Sequence, residues 1–204
     1  MTRHPARGSR RTIGPLARRL GVPAAAVILG ALFAPGPAHA AMERTPADNA
    51  THDYCFTSGF VTADEIATSM MVSGLASPTD MSVTFRGDCG TGARGASTVD
   101  VWFIETTALA PGVRGQMQCQ VPVRVGGNVV CDTADIKIDY AEIVAQGGPR
   151  AANYEKTILH EIGHSVGLVD HNGDTCVMKQ GPVGDILSER RFSTSDIATI
   201  NAHY

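Results

Sequence analysis

The chain has 204 residues, 43% hydrophobic and 18% charged, which suits one globular core and is too short for two full domains. Lys plus Arg total 17 against 20 Asp plus Glu, but Arg3, Arg7, Arg10, Arg11, Arg18 and Arg19 all fall in the first forty residues, where no acid occurs. The remainder therefore carries 11 basic against 20 acidic side chains, a net charge of −9. Such a surface repels phosphate backbones and excludes nucleic acid as a partner.

Residues 1–40 combine this basic start with a short apolar run, Val22 to Ala34, and an A-x-A exit at Ala38-His39-Ala40. The pattern is that of a secretory signal peptide cleaved near Ala40, because the run is too short to span a bilayer as an anchor. Arg10-Arg11 and Arg18-Arg19 leave the export route open between the general and the twin-arginine pathways. The protein is then expected outside the cell, with no membrane association in its mature form. Residues 41–52 (AMERTPADNATH) are polar and small and are expected to form a flexible lead-in, with the folded domain at 53–204.

Within that domain Thr62-x-x-Glu65 has the form of a capping box opening a helix over 62–75, with Ile66, Met70 and Met71 turned to the core. Residues 81–85 and 98–104 alternate as strands, which places Trp102 and Phe103 on opposite faces. Two further strands flank Gly126-Gly127, and residues 134–140 alternate again with Ile136 and Ile138 on one side. Ile158, Ile162 and Val166 then mark a buried helical stripe, and Gly167 suits its left-handed cap. A last helix over 192–204 is capped by Ser193-x-x-Asp196, with Ile197 and Ile200 inward. His52 and His203 are isolated and expected to be exposed. The order, strands with one helix, then a central helix, then a C-terminal helix, predicts a single α+β domain.

Export places the five cysteines where disulfides persist. Cys119 and Cys131 flank the Gly126-Gly127 hairpin and are expected to pair across it. A second bridge would use two of Cys55, Cys89 and Cys176, and the spacing does not choose between them. Gly90-x-Gly92-x-x-Gly95 matches the dinucleotide fingerprint in letters only, since an extended segment follows where a helix is required. Asp132, Asp135 and Asp139 could support a structural calcium ion, but the plainer account is an acidic outer face on an alternating strand.

The chemistry lies in His160-Glu-Ile-Gly-His164. A four-residue step turns both imidazoles to one face of a helix, where they can share a metal ion. Glu161 lies about 100° further round, positioned to act on a water without being a ligand. A catalytic zinc needs a third ligand and an open fourth position. Asp170 follows Gly167 at a suitable distance, and His171 is the alternative.

The extended segment HEIGHSVGLVD resembles the metzincin signature HExxHxxGxxH with aspartate in place of the third histidine, and is most similar to the snapalysin-like small neutral proteases. The closing FSTSDIATINAHY is similar to the last helix of matrixins. Specific matches run from about Ile158 to Tyr204. The resemblance implies a metzincin-like zincin fold with a twisted mixed sheet, one catalytic Zn2+ held by His160, His164 and Asp170, and Glu161 as general base. It also implies Met178, in Cys176-Val177-Met178, as the methionine of a tight turn under the metal. The expected function is a monomeric secreted endopeptidase acting on proteins or peptides. The alternatives are a zinc hydrolase of cell-wall peptide amides and a non-catalytic binding protein on the same fold.

Overall fold

Among the described residues five strands form one sheet in the order β2-β1-β3-β5-β4. The strands are β1 (Thr51–Phe56), β2 (Ser82–Asp88), β3 (Val101–Glu105), β4 (Gly115–Val125) and β5 (Asn128–Ile138). The computed structural model describes residues 45–90, 94, 98–173, 175–181, 184 and 186–204. The expected signal peptide and most of the Gly90–Gly95 loop lie outside the described residues. Four strands run parallel, while β4 turns back antiparallel on β5 at the sheet edge. Gly126 and Gly127 make that turn at φ 56° and 90°, the left-handed geometry a two-residue hairpin needs. The β4–β5 register shifts between Cys119 and Val121 and again between Val121 and Pro122.

Among the described residues four α-helices complete the α+β domain. These are α1 (Asp64–Ser69), continuing as a π-helical stretch Met70–Ala76, then α2 (Tyr140–Ala145), α3 (Arg150–Ser165) and α4 (Thr194–His203). Ile158, Leu159, Ile162 and Val166 of the α3 stripe are fully buried against Phe103, Ile136 and Ile138 of the sheet and Met71 of the π-helical stretch. Each such side chain contributes about 1.5–3 kcal/mol relative to exposure. Val166 caps α3 and Gly167 follows at φ 98°, as expected of a glycine-terminated helix. The Ser193–Asp196 capping box is formed at α4. Trp102 and Phe103 do face opposite sides, in separate apolar clusters. Among the described residues no helix is long and apolar enough to cross a membrane.

Several local expectations are corrected. The capping box at Thr62 does not form: the Thr62 hydroxyl donates to Glu105 Oε2 at 3.0 Å, and Glu65 N–H donates to the neighbouring Asp64 carboxylate. A nearer acceptor on each side outcompetes the i to i+3 exchange. Residues 134–138 are the second half of the long β5, not a strand of their own. The chain leaves that strand at Asp139, whose side chain caps the unforeseen α2 by accepting from Glu142 N–H at 2.9 Å. Asp135 accepts from Arg94 at 2.6 Å. Cys119 pairs with Cys131 across the hairpin, and Cys55 pairs with Cys89, tying β1 to the segment after β2. Cys176 is buried beside His171.

The largest correction is His52. Strand β1 begins inside the stretch expected as lead-in, and His52 is buried at 2% exposure beneath α3. Its Nε2–H donates to Ser165 Oγ at 2.9 Å, whose own hydroxyl donates to the Ile162 carbonyl. Among the described residues His52 Nδ1 has no partner, and burial pulls the ring's pKa down to about 4, which leaves it neutral at pH 7. The folded value lies below the unfolded one of about 6.5, so between the two the unfolded chain binds the proton first. Stability from this group is therefore complete above about pH 6.5 and is lost as pH falls toward 4, about 3 kcal/mol in all. Urea unfolding at pH 7 and about pH 4.5 should show this acid loss diminished in His52→Gln. Equal losses in parent and variant would remove His52 as the cause.

Candidate metal centre

Helix α3 delivers the motif because its stripe is anchored in the core, leaving the opposite face directed at the cleft under β4. His160 and His164 stand one turn apart with their Nε2 atoms 3.2 Å from each other. Behind them, His160 Nδ1–H donates to the Val177 carbonyl at 2.9 Å and His164 Nδ1–H to the Leu168 carbonyl at 2.8 Å. A carbonyl only accepts, so each Nδ1 carries a proton, and each Nε2, once free of a proton, turns a lone pair toward the other. Two lone pairs at that separation repel unless a cation lies between them.

Asp170 completes the group. Its Oδ1 is 3.1 Å from His160 Nε2 and 3.5 Å from His164 Nε2. Tetrahedral zinc with bonds of about 2.0–2.2 Å requires ligand atoms roughly 3.3–3.5 Å apart. The three edges, 3.2, 3.1 and 3.5 Å, form one face of such a tetrahedron and leave the fourth corner toward the cleft. Gln180 Nε2–H holds the other Asp170 oxygen at 2.6 Å. These residues therefore suit a zinc ion in ligand type, spacing and backing hydrogen bonds.

His171, the alternative third ligand, points elsewhere. Its Nε2 meets Asp196 Oδ1 at 3.0 Å and Cys176 Sγ at 3.5 Å. The Asp196 Oδ2 is occupied by the Ser193 N–H and hydroxyl of the α4 cap. This contact fastens the loop that carries Asp170 to the start of α4.

Burial raises the pKa of Glu161, opposed by the two histidines and by the Met117 N–H, which donates to Glu161 Oε2 at 2.7 Å. For His160, burial acts downward, but Asp170, Glu161 and the Val177 carbonyl outweigh it and the net shift is upward. The His160 hydrogen bond, aided by Gln180 and against some burial, draws Asp170 down to about 2.

Three features of the site escaped the sequence. Gly115 opens β4 directly above Glu161, where a Cβ would stand 2.8 Å from both Glu161 Oε1 and Thr157 Cγ2. Gly163, an unspecified position of the motif, makes room for Met178: a Cβ there would lie 2.4 Å from its sulfur. Met178 is fully buried against the underside of α3. Finally, a cleft of about 300 Å³ adjoins the centre, lined by Arg114, Lys156 and Lys179 together with His160 and Glu161. The repeated Gly in GVRG and EIGH was a signal for the first two; nothing in the sequence joined Arg114 to Lys156.

No protein-family model matches the chain, and no curated protein does either.

Proposed function

We propose that the chain is a secreted zinc-dependent endopeptidase with a metzincin-like fold, of the snapalysin-like kind in which aspartate replaces the third histidine. The observation that carries this reading is the pair of Nδ1–H donors aimed at carbonyls, which leaves two Nε2 lone pairs and a carboxylate at tetrahedral spacing. His160, His164 and Asp170 hold the metal, and Glu161 is the general base. Bound zinc supplies Lewis acidity, which acidifies water and polarises a carbonyl.

The chain's own residues do the rest. A peptide extends along the outer edge of β4, whose backbone groups on that side face no other strand among the described residues. Glu161, steadied by the Met117 N–H, accepts the proton of the attacking water and returns it to the departing amine. Its burial raises its basicity, which suits both transfers. The two disulfides accord with an oxidising destination.

Purified protein lacking its first forty residues should contain about one zinc per chain and cleave casein, with activity abolished by a chelator and restored by zinc. Zinc binding without cleavage of any protein would turn attention to cell-wall peptide amides. A folded sample that binds no zinc would refute the reading.

A further inference from the structure

Outside the metal ligands, the most unusual grouping is the cationic wall of the adjoining cleft. The chain after residue 40 has only 11 basic residues in a strongly acidic whole, yet three of them line this one space. Two of them converge on a single acceptor: Lys156 Nζ donates to the Gly181 carbonyl at 3.0 Å, and Arg114 Nη2 donates to the same oxygen. The remaining Arg114 hydrogen bond goes to Asn153 Oδ1 at 3.2 Å. Among the described residues neither cation has a carboxylate within ion-pair distance, and Lys156 is only 2% exposed. Buried cations are ordinarily paired, because desolvation disfavours the charged form. Burial lowers both Lys156 and Arg114 from their usual values and Arg114 lowers Lys156 further, while at longer range Glu189 acts upward on Lys156 and Glu161 on Arg114. Two cations sharing one neutral acceptor leave positive potential that an anion entering the cleft would neutralise.

The location says which part of a substrate this anion belongs to. The cleft shares His160 and Glu161 with the metal centre, and Glu161 must reach the nitrogen of the leaving amine to return its proton. The residue that contributes that nitrogen is thus the one whose side chain lies nearest the cleft.

We propose, building on the peptidase reading, that this cleft binds a carboxylate on the amine side of the scissile bond, with Arg114, Lys156 and Lys179 as specificity-determining residues. Lys179 sits in the segment after Met178 and is half-buried at the cleft mouth. The carboxylate has two sources, an Asp or Glu side chain or the C-terminus of the substrate.

The test is a set of fluorogenic peptides of one sequence carrying Glu, Gln, Leu or Lys immediately after the cleaved bond, with a further pair ending at that residue as free acid or amide. The zinc-loaded protein should prefer Glu to Gln by about 10- to 100-fold in kcat/KM, the range for a charge-assisted contact, and Lys should be the poorest. A strong acid-over-amide preference in the truncated pair, with Glu and Gln equal internally, would assign the cleft to a chain terminus. Lys179→Glu and Arg114→Gln should each shrink the Glu preference. The two substitutions lie on different elements, so a folding failure in one leaves the other decisive. Binding of the Glu and Gln peptides to the Glu161→Gln protein is read separately by calorimetry. Tenfold tighter Glu binding without any cleavage by the parent would sink the peptidase reading and keep the anion cleft. Cleavage of all the peptides within about threefold, with no acid-over-amide preference, would overturn the cleft proposal and leave the peptidase reading intact.

Discussion

Glu161→Gln should keep its zinc and lose casein hydrolysis by about 100- to 10,000-fold in kcat, the span expected for removing a general acid–base group. The substitution is conservative in this setting. An amide oxygen still accepts the Met117 N–H that now reaches Glu161 Oε2 at 2.7 Å, so the contact between α3 and β4 survives. Neither carboxylate oxygen belongs to the group of converging ligand atoms, which are two imidazole nitrogens and an Asp170 oxygen. Metal content and thermal midpoint should therefore stay close to those of the parent while turnover collapses. KM should change little, because the lost interaction operates on the proton and not on substrate binding. Retention of activity within about threefold would place the base elsewhere, and loss of zinc would mean that Glu161 contributes to the metal site itself.

Asp170→Ala should weaken zinc affinity by more than about 100-fold, beyond the 10- to 100-fold typical of removing a supporting hydrogen bond. His171→Gln, one position further on, should change it by no more than about tenfold. The contrast rests on direction: Asp170 Oδ1 closes the triangle with both imidazoles, whereas His171 Nε2 faces the buried Asp196. Competition with a chromophoric chelator reads both affinities directly. The His171 variant should instead lower thermal stability, since it loosens the tie between the Asp170 loop and α4. A reversal, with zinc lost on changing His171 and kept on changing Asp170, would exchange their roles.

The parts of the structure that the sequence revealed are those with a local signature. The α3 stripe, the Gly167 stop, the α4 cap and the Gly126-Gly127 hairpin all depend on residues within a few positions of one another, where periodicity and turn chemistry act. The hairpin in turn set the Cys119–Cys131 pairing. The choice between Asp170 and His171 stayed open because both side chains leave the same loop, and a partner 25 residues away on α4 decides where His171 turns. His52 looked like a surface residue beside polar neighbours. Its partner Ser165 lies 113 residues further along, and only the parallel entry of β1 beneath α3 makes it internal. The cationic cleft likewise unites Arg114, Lys156 and Lys179 from three different elements.

The double register shift in β4 bears on how the protein survives at high concentration. An open outer edge of eleven residues would recruit the same edge of another molecule as readily as a peptide. Here the regular stretch next to the metal centre ends at Cys119; beyond it come the displaced register, Pro122, which has no N–H to donate, and the charged Arg124. On the peptidase reading a short segment would dock on the first half, while the irregularity would stop a second sheet from continuing along the whole strand. Such an irregularity would leave the edge open to a short extended ligand while opposing edge-to-edge pairing between copies.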